Sequence, residues 1–227
     1  EFVFYRNPGA DQLLTVEDLD LDLLQSTRAL HLCSVSLTDE PARSATFEAT
    51  RTAKGAGALI SYDVNYRPSL WRSRADALEQ ARLMISEVDL LKINEGEAAL
   101  LTGLEKIDRV DPAWLEETAR ELLRSGPAIV VITLGSQGCY FQIEEGGALV
   151  PAYKVETVDA VGCGDSFVAG LLSKLVEPSD WRENLTVEKM TSNLHFANAA
   201  GALTSLKRGV IPALPTKLEV EMFLDRK

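Results

Sequence analysis

The stretch VDAVGCGDSFVAGLLSKL, residues 158–175, combines residue types that suit chemistry on a phosphate. Gly162 and Gly164 precede an apolar run with helical periodicity, and Asp165 stands at the start of that run. A helix begins with unpaired N–H groups and the positive end of its dipole, and glycines let an anion approach the backbone. The N–H groups can therefore hold a phosphate while Asp165 takes a proton from an attacking hydroxyl. The motif alone leaves a second interpretation open, in which the glycines only turn the chain and Asp165 only complements the helix dipole.

The elements that must position this motif follow from hydrophobic periodicity. Up to Gly135, strands are predicted at 29–35, 58–65, 89–94 and 128–135, and helices at 41–57, 75–88, 95–103 and 112–126. Beyond Gly135, antiparallel strands are predicted at 138–143 and 147–155, and helices at 165–176, 187–208 and 217–227. The alternation of strand and helix predicts an α/β fold with a mostly parallel central sheet, flanked by helices on both faces.

Composition excludes several classes of partner. The 34 acidic residues outnumber the 23 basic ones and give a net charge of −11, so a nucleic-acid backbone is excluded as a general partner. No stretch approaches the roughly 18 apolar residues that a membrane span needs. The three widely spaced cysteines, Cys33, Cys139 and Cys163, form no zinc motif and predict a reducing, cytoplasmic setting.

Four segments, in a fixed order, resemble motifs of the ribokinase-like (PfkB) sugar kinases. DAVGCGDSF resembles the family's DTxGAGDxF signature. The other three segments are KINEGEAALLTG (92–103), VITLGSQGCYF (131–141) and FANAAGALTSLKRGVIPALPT (196–216). The resemblance implies a ribokinase-like fold with a small β lid that is largely missing from this chain. Residues 1–12, with a strand at 2–7, would be a remnant of the lid and sugar-binding region, and residues 13–227 the α/β nucleotide-binding and catalytic domain.

The resemblance implies an ATP-dependent kinase that phosphorylates the primary hydroxyl of a sugar. FYRNPGADQLL (4–14) and SYDVNYRPSLW (61–71) are most similar to fructokinases, which favours fructose as substrate and fructose 6-phosphate as product. Two alternatives stay open: a 2-dehydro-3-deoxygluconate kinase, and a catalytically weak, kinase-like regulatory protein. The implied partners are a sugar, ATP and a second copy of the chain bound through the lid strands. A Rossmann dehydrogenase is disfavoured because no GxGxxG follows an early strand.

The catalytic residues are carried over from the signature by resemblance. Asp165 would be the general base, and the backbone of Gly162, Cys163 and Gly164 would hold charge on the transferred phosphoryl group. Cys163 stands where the signature has Ala. A thiol at a helix N-terminus is open to a lowered pKa, but a small side chain packed against the turn is the favoured interpretation.

The nucleotide-binding residues are implied by the segments at 131–141 and 196–216. They are Thr133, Gly135, Gly138, Asn198, Gly201 and Ala202. From the residues alone, Gly135–Gly138 is also an ordinary turn, and the Ala and Gly spacing after Asn198 is also close helix packing. The sugar-binding residues implied by the resemblance are Arg6, Asn65 and Arg67, with Asp63 orienting their loop.

Two cation sites are implied. Asn94 and Glu97 would organise Mg²⁺ through water, although the same pair fits the capping box of a helix N-terminus. Asp159, the Val161 carbonyl and Gly209 match a site for K⁺. Ala213 stands where K⁺-dependent members carry a hydroxyl, which leaves K⁺ activation open.

Overall fold

The computed structural model describes Arg6, residues 8–104 and residues 111–226. The strands are β1 (Ala29–Cys33), β2 (Leu59–Asp63), β3 (Leu90–Asn94), β4 (Ile129–Thr133), β5 (Cys139–Gln142) and β6 (Gly147–Val150). The helices are α1 (Leu21–Ser26), α2 (Ala42–Gly55), α3 (Arg74–Ile85), α4 (Glu95–Thr102), α5 (Pro112–Leu123), α6 (Cys163–Leu175), α7 (Val187–Thr204) and α8 (Lys217–Leu224). The strands form one sheet in the order β1 to β6, which confirms the predicted α/β fold with a mostly parallel sheet.

The described chain divides into two compact units. One unit takes in residues up to 104 together with Glu117–Val130, and the other takes in residues 111–116 and the chain from Val131 onward. In the first unit β1, β2 and β3 pair in parallel, which sets Cys33 beside Asp63 and Asp63 beside Lys92. In the second unit β5 and β6 are antiparallel.

Local sequence accounts for most of the element boundaries. All five residues of β2 are buried, as expected for a strand inside a parallel sheet. Ser73 caps α3 by accepting a hydrogen bond from the N–H of Asp76, and Thr186 caps α7 in the same way from Lys189. Among the described residues, no helix combines the length and the hydropathy that crossing a bilayer requires.

The elements differ from the prediction at one strand and one helix, and one predicted strand lies largely outside the described residues. The strand predicted at 147–155 ends at Val150, because Pro151 has no N–H to continue the ladder. Helix α1, which follows the N-cap Asp20, was not predicted because six residues carry little periodicity. The strand predicted at 2–7 lies outside the described residues apart from Arg6, so the lid remnant at 1–12 stays a prediction.

Candidate active site

A cavity of about 590 Å³ lies within the second unit. The residues that the sequence assigned to the nucleotide all line it: Thr133, Gly135, Gly138, Asn198, Gly201 and Ala202. Cys163 and Gly164, from the start of α6, line it as well. Three segments that are far apart in the chain therefore meet in one wall.

The start of α6 presents free backbone donors. Gly162 precedes the helix with a φ of 82°, a left-handed conformation that favours glycine, and a Cβ there would lie 2.6 Å from Val210. The N–H groups of Gly162, Gly164 and Asp165 donate to none of the described residues. The Cys163 N–H donates to the Ala160 carbonyl at 3.3 Å. The set of open donors thus differs from the predicted one, since the N–H of Asp165 joins it and that of Cys163 leaves it.

Asp165 lies in the first turn of α6 and is exposed. Its side chain makes no hydrogen bond or ion pair with the described residues, and Asp165 is not among the residues that line the cavity, although its neighbour Gly164 is. Burial, and then the carboxylates of Asp159 and Asp165, raise the pKa of the Cys163 thiol. The lowered pKa considered from the sequence is wrong, because burial and two carboxylates outweigh the helix dipole.

The turn before β5 contains two glycines that differ in the space beside them: a side chain would fit at Gly135 and would clash at Gly138. Gly135 has a φ of 57°, and a Cβ there would have no heavy atom of the described residues within 4 Å. Gly138 has a φ of 102°, and a Cβ there would lie 2.1 Å from the Val150 carbonyl oxygen. Close packing against β6 therefore accounts for Gly138 whether or not the turn contacts a ligand.

The carboxamide of Asn198 has one end fixed and one end free. Its Nδ2 donates to the carbonyls of Val150 and Pro151, both at 3.2 Å, and to Cys139 Sγ at 3.8 Å. Burial raises the pKa of the Cys139 thiol to about 12. Two carbonyl acceptors require the NH₂ group on their side, so Oδ1 is the end that accepts no hydrogen bond from the described residues.

Sequence reasoning missed several residues of the wall. Lys154 is exposed and is the one cationic side chain among the residues that line the cavity. Tyr153 also lines it, with its hydroxyl 3.4 Å from His195 Nδ1 and its ring 5.2 Å from that of Phe223. A phosphate needs positive charge nearby, and this could have pointed to Lys154. Residues 151–155 were instead predicted as part of a strand.

The residues predicted to hold K⁺ do lie together. Asp159 Oδ1 accepts the Val161 N–H at 3.1 Å, and its Oδ2 accepts the Gly209 N–H at 3.4 Å. The Asp159 N–H in turn donates to the Ser205 carbonyl at 3.1 Å. Asp159 therefore joins two loops of the second unit. Ala213, which follows Gly209 in the chain, is buried.

The residues predicted to bind the sugar lie in the first unit and differ in availability. Arg6 forms an ion pair with Asp11 and donates to the Thr38 hydroxyl at 3.1 Å, which leaves its side chain 11% exposed. Asn65 has a φ of 40°, a conformation that few side chains adopt. Among the described residues, Arg67 donates to the carbonyl of Tyr66 alone, at 3.3 Å.

The pair predicted to organise Mg²⁺ forms the capping box of α4. Asn94 Oδ1 accepts the Glu97 N–H and Glu97 Oε2 accepts the Asn94 N–H, both at 2.9 Å. Glu97 Oε1 accepts the Tyr66 N–H at 2.7 Å. The carboxyl is 5% exposed, and burial raises its pKa. Each Glu97 oxygen accepts one backbone N–H and the carboxyl is buried, so Glu97 caps α4 and contacts the loop after β2. Among the described residues, no three His, Cys, Asp or Glu side chains cluster as a metal site.

Comparison with known proteins agrees with the motif assignments. Residues 1–217 match the family described as pfkB family carbohydrate kinase. The chain is 39% identical over 227 residues to fructokinase-1 of Zea mays, an alignment that covers 100% of this chain and 67% of that protein. The chain spans about two thirds of the length of the curated relatives it matches.

Two solved structures are similar over most of the chain. Fructokinase from Xylella fastidiosa with bound ATP has a TM-score of 0.87 and 28% identity, and the match covers 100% of this chain and 70% of that one. A fructokinase double mutant from Vibrio cholerae O395, with fructose, ADP and potassium bound, has a TM-score of 0.82 and 30% identity, covering 96% and 66%. The fold is therefore ribokinase-like, and the chain belongs to the pfkB family of carbohydrate kinases.

Proposed function

We propose that the chain carries the nucleotide-binding and catalytic residues of an ATP-dependent sugar kinase that converts fructose to fructose 6-phosphate. One observation supports this most strongly: a single cavity is lined by all six residues assigned to the nucleotide and by the start of α6. The names of its relatives, which are fructokinases, support fructose as the acceptor.

In the proposed reaction, α6 supplies both an anion hole and a base. The open N–H groups of Gly162, Gly164 and Asp165 donate to the oxygens of the γ-phosphoryl group. The sugar hydroxyl oxygen bonds to phosphorus while the bond from phosphorus to the ADP oxygen breaks, and the hydroxyl proton passes to the Asp165 carboxylate. Because the base and the donors share one helical turn, they keep a fixed spacing without a conformational change.

The base of the nucleotide is proposed to be adenine. Asn198 has its NH₂ group held by two carbonyls, so it offers the cavity an acceptor. The exocyclic amine of adenine can donate to Oδ1, whereas guanine presents a carbonyl oxygen at the equivalent position. Lys154 supplies positive charge in the same wall for the phosphates.

The proposed sites for Mg²⁺ and K⁺ are those that the family resemblance implies. Mg²⁺, when bound, neutralises charge on the phosphates. Asn94 and Glu97 are not proposed as its direct ligands, and a water-mediated role for them stays a prediction. K⁺ at Asp159, Val161 and Gly209 is supported by the potassium bound to the Vibrio cholerae enzyme.

Sugar binding is proposed for Asn65 and Arg67, which follow β2. Arg6 stays a weaker proposal because Asp11 and Thr38 already occupy its guanidinium. A homodimer through the lid and a cytoplasmic setting stay predictions. Light scattering at low concentration and localisation of a tagged protein test them.

Sugar-dependent ADP release by the polypeptide as its gene encodes it tests the function. We expect release with fructose to exceed release with 2-dehydro-3-deoxygluconate under saturating ATP. Asp165→Asn should lower kcat by roughly a hundredfold to ten-thousandfold, the usual contribution of a general base. Glu188→Gln is the matched control, since Glu188 is also an exposed carboxylate in the first turn of a helix.

Two results would count against the proposal. A normal rate in Asp165→Asn would remove the base assignment. A wild-type protein that releases no ADP with any sugar, and gives no sugar-dependent heat in calorimetry, would favour the regulatory alternative over an enzyme.

A further inference from the structure

The end of β2 and the loop after it are tied to β3 and α4 at three points within the first unit. The Val64 N–H donates to the Lys92 carbonyl at 3.2 Å. Lys92 Nζ donates to Asp63 Oδ2 at 2.8 Å, with side chains 10% and 5% exposed respectively. The third tie is the hydrogen bond from the Tyr66 N–H to Glu97. Only this third tie reaches beyond Asn65 to the part of the loop that carries Arg67.

The conformation of this loop needs such a restraint. Asn65 holds a left-handed φ of 40°, a region that Asn tolerates better than most residues with a Cβ but that still costs it free energy. Such a conformation persists only where surrounding contacts determine it. The Tyr66 N–H, directly after Asn65, is held by a buried carboxylate at 2.7 Å, and hydrogen bonds to charged groups are among the strong ones.

Glu97 makes this contact as part of a rigid unit. Its second oxygen binds the Asn94 N–H, so the side chain is fixed at the first turn of α4 and has no rotamer freedom to follow a moving loop. Each oxygen accepts one backbone N–H, at 2.7 and 2.9 Å, so the carboxylate is held between the loop and the start of α4. The motif that the family resemblance assigned to Mg²⁺ therefore also contacts the loop after β2 in this chain.

We infer that Glu97 is a positioning residue for the sugar loop: its carboxylate holds the Tyr66 N–H and thereby fixes where Asn65 and Arg67 are presented. The role of that loop in binding sugar rests on the proposed function. The positioning itself rests on the contacts within the first unit.

The test compares Glu97→Gln with Glu95→Gln in the polypeptide as its gene encodes it. Glu95 lies in the same first turn and makes no hydrogen bond or ion pair with the described residues, so it matches the charge change without touching the loop. Glutamine at 97 keeps one acceptor oxygen but turns an NH₂ group toward one of the two N–H donors. Hydrogen exchange of peptides spanning residue 66 and α4, the KM for fructose, kcat and the half-saturating Mg²⁺ concentration are measured for each.

We expect Glu97→Gln to speed exchange at the Tyr66 amide and to raise the KM for fructose, each roughly tenfold or more, as when a hydrogen bond to a charged group is lost. The change in kcat and in the half-saturating Mg²⁺ concentration should stay below about twofold, the scale of indirect effects. Glu95→Gln should change none of these. If Glu97→Gln does not fold, as judged by circular dichroism, Glu97→Asp replaces it, since its carboxylate is too short to reach both donors.

Three results would overturn the inference. The first is an unchanged exchange rate at Tyr66 in a folded variant. The second is an equal rise in exchange across α4, which would mean that only the helix cap was lost. The third is a raised Mg²⁺ requirement with an unchanged KM for fructose, which would assign Glu97 to the metal. If the wild type phosphorylates no sugar, the proposed function fails separately, and the exchange data alone decide whether Glu97 holds the loop.

Discussion

Two helix starts, Asn94–Glu97 in the first unit and Gly162–Asp165 in the second unit, both end in a glycine followed by an acidic residue, but their structures differ. Each combines a strand or loop end, a helix start and an acidic residue. In the Asn94–Glu97 turn, the carboxylate is buried and accepts two backbone N–H groups. In the Gly162–Asp165 turn, the carboxylate is exposed and three backbone N–H groups have no partner among the described residues.

This difference indicates which turn holds the backbone in position and which turn can bind a ligand. A turn whose polar groups bond one another holds the surrounding backbone in place and has little left for a ligand. A turn that leaves donors open can bond to water or to a ligand. Both turns pair a helix start with an acidic side chain, so the hydrogen-bond partners, more than the residue types, decide what each turn does.

The largest effect is expected in the first unit, where buried polar groups bond to one another. Lys92→Met should lower the free energy of unfolding by about 3 to 5 kcal/mol, because it leaves the buried Asp63 carboxylate without its cation. Asp63 Oδ1 already has no hydrogen-bond partner among the described residues, which adds to the cost. Urea denaturation measures the change.

Lys207→Met is the control for that variant. Lys207 is exposed and forms no salt bridge with the described residues, so its replacement should change stability by less than about 0.5 kcal/mol. Similar losses in both variants would contradict the importance of the buried pair.

A smaller effect is expected at the cavity of the second unit, and it concerns nucleotide binding more than stability. Asn198→Ala removes the acceptor proposed for adenine, so the preference for ATP over GTP should fall roughly tenfold, the worth of one well-placed hydrogen bond. The ratio of kcat/KM for the two nucleotides measures it.

Asn193→Ala controls for loss of a buried amide from the same helix. Asn193 donates to Asn184 at 3.0 Å and does not line the cavity. It should cost similar stability and leave the ratio between ATP and GTP unchanged. A ratio that falls equally in both variants would mean that Asn198 acts through packing alone.

The smallest effect concerns the thiol at the start of α6. Burial, Asp159 and Asp165 raise the pKa of Cys163, so at pH 8 the thiol is mostly protonated and its alkylation should accelerate as the pH rises. Asp165→Asn removes one negative charge, lowers that pKa and should speed alkylation at pH 8 a few-fold. Mass spectrometry of the Cys163 peptide measures the rate.

Glu188→Gln, which changes a distant carboxylate of the same unit, should leave the alkylation rate of Cys163 as in the wild type. A rate that does not respond to Asp165→Asn would show that the Asp165 carboxylate lies too far from the thiol to influence it.

Much of the fold could be predicted because its determinants are local. Alternating apolar runs marked all six strands, and caps such as Thr216 with Glu219 mark helix starts that sequence periodicity had already suggested. Errors fell where a local signal was weak or misleading, as at α1 and at residues 151–155. At residues 151–155, Pro151 ends the strand, and the side chain of Asn198 binds the Val150 and Pro151 carbonyls in place of a neighbouring strand.

The composition of the cavity wall was largely predictable from motifs, whereas its polar partners were not. Lys154 belongs to no recognised motif. The Tyr66 contact with Glu97 joins residues 31 positions apart, and the bond between Lys92 and Asp63 spans 29. No periodicity links such pairs, because they arise from the register of parallel strands that the chain brings together only on folding.

The amino-acid sequence by itself determined the α/β architecture, the family and the residues that gather around the cavity, since these depend on periodicity and on motifs of contiguous residues. Only the tertiary structure decided which polar groups are satisfied. It placed the Tyr66 N–H on the Glu97 carboxylate and the Lys92 ammonium on the Asp63 carboxylate. The physical reason is that a hydrogen bond depends on distance and angle between groups, and the residue type alone specifies neither.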